Sequence, residues 1–233
     1  GSGDFALEVR QRIHADDYDC VAIPIPDDFE EAVEEAIGHL PRVHIVAQRE
    51  GGVGDEASAY SFVPIDPCQP LIAAIREALA ANITRAYIDL GVENFEQQTA
   101  TYPDPYALKQ ISLEKFDAAL VTGLPRPEPD SQRRDRIRWM AHQLHLLELD
   151  YERILFVCSV MDWPWIREAY QKHDPAPEDA SPVWPAETFY VVPNCLYFVL
   201  GELPYITQLY EHRRAEMMPD ETQAIDGIKS LIL

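Results

Sequence analysis

Carboxylates recur at the ends of the chain's apolar, β-rich runs, which is where an acid–base or divalent-metal site would need them. Asp27 and Asp28 follow the run 20–25, Arg49 and Glu50 follow 43–48, and Asp66 follows 60–65. Asp89 lies at the end of 85–90, with Glu93 just beyond, and Met161-Asp162-Trp163-Pro164-Trp165 closes 154–160. Three of these acids have an equally good structural explanation. Asp66 precedes Pro67 and Asp162 precedes Pro164, each reading as a helix N-cap with proline in the first turn. Asp28 opens a segment of helical period. No helical segment directly follows Asp89, so it leads the candidate catalytic carboxylates, with Asp162 and Asp66 behind it.

Arg133, Arg134, Arg136 and Arg138 form a basic island on an acidic chain. They crowd the start of a helical run, where cations are disfavoured. Arg133, Arg136 and Arg138 are therefore candidate anion ligands. Trp163 and Trp165, with Trp184, are candidate anchors for a ligand or partner, the alternative being core packing. His142 and His145 stand three apart, a spacing that can serve one metal. No third ligand is fixed, so no metal site is assigned and no cofactor is called for. Ser159 lacks the GxSxG elbow and Cys158 has no telling histidine. The loop Gly51-Gly52-Val53-Gly54 lacks the GK[ST] of a phosphate loop.

The elements that must position these residues alternate. The six strand candidates are 20–25, 43–48, 60–65, 85–90, 154–160 and 188–192. Several are apolar on consecutive positions, as in strands covered on both faces. Between them Phe29, Val33, Ile37 and Leu40, then Leu71, Ile75 and Leu79, recur at helical spacing, and a longer helix spans about 130–149. The expected fold is α/β: a mostly parallel central sheet of five or six strands with helices on both faces. The runs 43–48 and 60–65 are the exception, since their Gly-rich connection is too short for a crossover helix and suggests an antiparallel hairpin. The expected organisation is one domain over 1–233. It has an irregular excursion at 92–130 holding Pro103 and Pro105, and a Pro-rich loop at 173–185.

The 233 residues carry 19 basic and 40 acidic side chains, a formal net charge of −21. That field repels phosphate backbones and anionic membranes, so neither nucleic acid nor a membrane is an expected partner. The four cysteines, Cys20, Cys68, Cys158 and Cys195, form no CxxC pair, and a cytoplasmic protein is expected. No apolar run approaches the roughly 18 residues of a membrane span. The start, Gly1-Ser2-Gly3, has no initiator Met, and Ile225, Ile228, Leu231 and Ile232 make a helical stripe at the end. The chain therefore reads as one domain of a longer protein.

The order of certain segments resembles a known superfamily. Phe5-Ala6-Leu7-Glu8-Val9-Arg10 leads into Cys20-Val21-Ala22-Ile23-Pro24-Ile25-Pro26 and an amphipathic helix. Arg136-Ile137-Arg138-Trp139-Met140-Ala141 later precedes the apolar run 154–160. This is similar to the superfamily of erythromycin esterases, haem-binding ChaN-like lipoproteins and TraB/TIKI-type proteins. The resemblance implies an α/β fold. It does not carry over metal-dependent hydrolysis, because Pro24 stands where that superfamily has a glutamate and Met161 where it has a histidine. The segment Tyr197-Phe198-Val199-Leu200-Gly201-Glu202-Leu203-Pro204 is also similar to one in large bacterial proteins, of which this would be the amino-terminal domain.

Three functions follow as expectations. One is a non-catalytic domain of a larger bacterial protein, with a degenerate hydrolase-like cleft that binds a small molecule or a protein, including other domains of the same chain. The second is a divalent-metal hydrolase rebuilt on Asp89, Asp66 and Asp162. The third is an interaction module using the segment from Trp163 to Trp184.

Overall fold

The structure is a computed structural model that describes residues 2–51, 59–97, 107–108, 110–178 and 183–216. Most of the Gly-rich hairpin loop, Pro103, Pro105 and the terminal Ile225–Ile232 stripe fall outside the described residues.

Strand β1 (Cys20–Pro26) is the centre of a parallel sheet with β4 (Thr84–Asp89) on one side and β5 (Ile154–Phe156) on the other. Its side chains alternate in direction, as a strand's must. Val21 and Ile23 face one layer, with α2 (Glu30–Gly38) and α3 (Pro70–Ala81), and pack on Val33, Ile37, Ile72 and Ile75. Ala22 faces the other, with α5 (Gln132–Leu147) and α6 (Trp163–Lys172), among Ile137, Met140 and Ile166. Helices on both faces therefore cover this sheet. Pro24 has no N–H to donate, and the β1–β4 register breaks between Ile23 and Pro26, where it sits.

The single sheet of five or six strands expected from the sequence is not present. The strands divide into two sheets of three. The second has the order β3-β2-β6, from β2 (His44–Arg49), β3 (Tyr60–Ile65) and β6 (Glu187–Tyr190), with both pairings antiparallel. The reason lies in the connections. A short loop returns β3 alongside β2, so the two pair as an antiparallel hairpin with no crossover helix between them. β6 then pairs with the free edge of β2 instead of adding to β5. One face of this second sheet packs on α2 through Val46 and the Thr188 hydroxyl, which donates to the Ala32 carbonyl at 3.3 Å. The opposite face carries Tyr60, Phe62 and Phe189, all exposed.

Helix α1 (Gly3–Ala15) lies against α3, and after the short α7 (Leu196–Val199) helix α8 (Pro204–Glu216) closes over both by charge as well as packing. Glu77 of α3 is buried and meets His14 at 2.9 Å, Arg214 at 3.5 Å and Arg10 at 3.6 Å. The excursion after β4 contains the short helix α4 (Leu113–Val121), whose Phe116 rings edge-on against Phe5 of α1. Among the described residues no helix is long and apolar enough to cross a membrane.

Candidate functional site

In an open parallel sheet ligands bind beyond the carboxyl ends of the strands. Here that edge is formed by Asp27 and Asp28 after β1, Asp89 at the end of β4, and the turn 157–162 after β5. Gly51, just past β2, reaches the same edge, its N–H donating to the Glu93 carbonyl at 2.8 Å.

Asp89 and Asp162 come together here, and both are held by arginines of α5. Asp89 is 5% exposed and receives a forked Arg136 guanidinium, with Nε at 3.0 and 3.2 Å from its two oxygens and an Nη contact as well. The Leu90 N–H donates to Oδ1 at 2.8 Å, and the Arg136 guanidinium lies over the Phe95 ring at 4.7 Å. Burial pushes the Asp89 carboxyl above its ordinary value, the Arg136 charge draws it back, and Asp162 adds a smaller upward push. Arg133 donates to Asp162 at 2.8 Å and to the Met161 carbonyl at 2.7 Å. Arg133 and Arg136, one helical turn apart, face the sheet together.

The arginine island is split by the same geometry. Arg134 and Arg138 sit four apart on another strip of α5 and line a cavity of about 390 Å³ with Arg126, Trp165, Glu168 and Lys172. There Arg126 stacks over the Trp165 ring at 4.5 Å and pairs with Glu168 at 2.7 Å. Arg138 pairs with Asp135 at 3.5 Å. Trp165 also packs against Ile166 and its neighbours, so its ring serves core and cavity at once.

Two cap readings need correction. Asp66 does not cap α3: the N-cap is Gln69, and Pro70, not Pro67, opens the helix. Asp66 is instead fully buried, accepting from the Cys68 N–H and from the distant Gly201 N–H, both at 2.9 Å. It ties the α3 turn to the segment before α8 and stands apart from the Asp89–Asp162 pair. Asp66→Ala leaves two backbone N–H groups without an acceptor and costs about 2 kcal/mol, more than a surface cap. Urea denaturation measures this directly. Asp162 does hold the N-cap position of α6, yet its side chain makes no cap hydrogen bond and turns to Arg133. The third opener, Asp28, accepts from Gln48, whose amide also donates to the Trp184 carbonyl at 2.7 Å. Arg49 stacks on the Trp184 ring at 4.5 Å.

A cavity of about 840 Å³ opens at the carboxyl end of β5, along the edge that β1 does not cover. Cys158, Ser159, Val160 and Trp163 form its inner wall, and α1 and α4 supply Phe5, Val9, Leu113 and Phe116 opposite. Sequence reasoning found Trp163 but none of the α1 and α4 residues. Phe5, Glu8, Val9 and Arg12 recur at helical spacing, yet nothing local says that this strip faces a cavity. Burial pushes the Cys158 thiol up to about 12, helped by the charges of Asp162 and Asp117, so it stays protonated at neutral pH. The Ser159 hydroxyl accepts from the Met161 N–H at 3.2 Å. No histidine among the described residues lines this cavity, so neither side chain is set up as a nucleophile.

A resident metal does not fit these residues. The resemblance would place ligands at Pro24 and Met161, which offer none, and Arg136 and Arg133 already hold Asp89 and Asp162. Among the described residues no group of three or more histidines, cysteines or acids is arranged for a metal, His142 and His145 included. His145 is stacked between Tyr170 and His173, with ring centroids at 4.1 and 4.4 Å. Comparison with known proteins finds no matching family model, no matching curated protein and no matching solved structure.

Proposed function

We propose that this chain is a binding domain of a larger bacterial protein, with a hydrolase-like cleft whose carboxylates brace the fold, and that a small molecule occupies the cavity beside β5. The observation that carries the reading is the engagement of both edge carboxylates by arginine, Asp89 by Arg136 and Asp162 by Arg133. A metal ligand or general base needs lone pairs directed at the reacting space, whereas Asp89 directs both oxygens into Arg136 and Asp162 directs Oδ1 into Arg133. The cavity beside them has the volume of a ligand pocket and a mainly apolar wall, with Glu8, Arg12 and Asp117 at its polar side.

The exposed Tyr60, Phe62 and Phe189 on the second sheet support a docking role as well, for another domain of the same protein. Trp163, by contrast, lines the cavity beside β5.

The expected result of thermal melting is that neither EDTA nor added Mn²⁺ or Mg²⁺ moves the transition. A ligand that binds only the folded state raises the melting temperature by mass action. A rise with Mn²⁺ that EDTA reverses would therefore replace this reading with the divalent-metal hydrolase.

A further inference from the structure

We infer that the cavity at the carboxyl end of β5 takes a small cationic amphiphile, an apolar body carrying one positive group. The inference rests on the binding reading above and adds the ligand's chemical class.

The apolar half of the argument is the wall. Phe5, Val9, Leu113, Phe116, Phe156 and Val160 line a space of about 840 Å³, within the range of small-molecule pockets. The charged half is the rim. Glu8 and Asp117 line the same space, and neither accepts a hydrogen bond or closes an ion pair among the described residues. The guanidinium on the lining, Arg12, is directed to Glu114 at 3.5 Å, an acid that stands outside the lining. Glu8 and Glu114 thus share a single arginine, and Asp117 has none among the described residues.

Half-buried carboxylates that outnumber their cations are a standing cost, and both register it. Burial, reinforced by the Glu114 charge, pushes the Glu8 carboxyl up, with Arg12 opposing, and burial and Glu114 push Asp117 up as well. A positive group at the rim relieves that repulsion, a neutral ligand leaves it, and an anion adds to it. The chain's net charge of −21 favours the approach of the same ligand. No covalent step is implied.

The test uses three probes of equal chain length at submicellar concentration: decyltrimethylammonium, decanol and decanoate. Binding is followed by tryptophan emission, with Trp163→Phe as the control that locates the signal in this cavity. The expected result is that decyltrimethylammonium binds about tenfold more tightly than decanol, and decanoate more weakly than either, as two half-buried charge contacts allow. In Glu8→Gln/Asp117→Asn the preference for the ammonium disappears while decanol binds as before. That pair of substitutions removes uncompensated charge, so the variant keeps or gains thermal stability, which melting verifies. Decanol and decanoate binding as well as the ammonium, or a preference that survives in the double variant, overturns this inference and leaves the binding reading in place. Failure of all three probes overturns both.

Discussion

Arg136→Met destabilises the fold by about 3–5 kcal/mol at neutral pH, because it strands a buried carboxylate rather than because the pair itself is worth that much. Asp89 is 5% exposed, and without Arg136 the Leu90 N–H is left to donate to it. The pH dependence follows from the direction of the Asp89 shift. Burial raises the carboxyl above its ordinary value even with Arg136 in place, and removing the arginine removes the main opposing pull. A carboxyl raised in the folded state favours folding at low pH, and that contribution is lost as pH rises through the folded value. The deficit of Arg136→Met therefore narrows as pH falls through the raised Asp89 value, where the carboxyl takes up a proton. Arg136→Met/Asp89→Asn recovers most of the loss, since asparagine still accepts from Leu90 and carries no charge. Denaturant titrations of the three proteins at two pH values measure all of this. A deficit in Arg136→Met that stays constant with pH would mean that Asp89 is not the group being stranded.

The second large effect separates the centre of the parallel sheet from its edge. Val21 lies on β1, fully buried between β4 and β5, while Val157 follows β5 and lines the cavity. Val21→Asp places an unpaired carboxylate in the core and prevents folding, a cost of several kcal/mol, roughly. Val157→Asp costs only about 1–3 kcal/mol, because the new carboxylate reaches the cavity. Circular dichroism and thermal melting distinguish the two. Equal loss in both variants would mean that β5 is enclosed as β1 is, and would remove the open edge on which the cavity depends.

How much of this was legible can be judged from particular residues. The six apolar runs all became strands, buried on both faces at β1 and on one face in the second sheet. What the runs did not carry was their pairing. That depends on one short loop and on where β6 finds a free edge, neither of which has a periodic signal. The hairpin between β2 and β3 was readable from loop length, but its separation into a second sheet was not, since an antiparallel pair can also extend a parallel sheet. The ends of the elements were less visible. Run 154–160 forms strand only over Ile154–Phe156, because the chain leaves the sheet to wall the cavity.

At the site, Asp89 stood out because no helix explained it, and Asp89 is the acid buried against Arg136. The arginine island read as one cluster. Helical geometry divides it, with Arg133 and Arg136 directed to the sheet and Arg134 and Arg138 to the smaller cavity. That division was present in the spacing, three against four, once the inward face was known. Asp66 read as a cap from its proline, but its second partner, Gly201, lies 135 residues away and leaves no local trace. The cavity wall on α1 and α4 was invisible for the same reason.

The most direct measurement is a crystal structure of the domain grown or soaked with decanol, alongside the variant Leu113→Trp. The account predicts density for the apolar chain between Phe5, Phe116 and the turn from Cys158 to Val160, with Arg136 and Arg133 still holding Asp89 and Asp162. In Leu113→Trp the indole fills that space and the density is gone. Density at the Asp89–Asp162 edge with the guanidinium groups displaced, or an empty β5 cavity in crystals of a protein that binds decanol in solution, would contradict it.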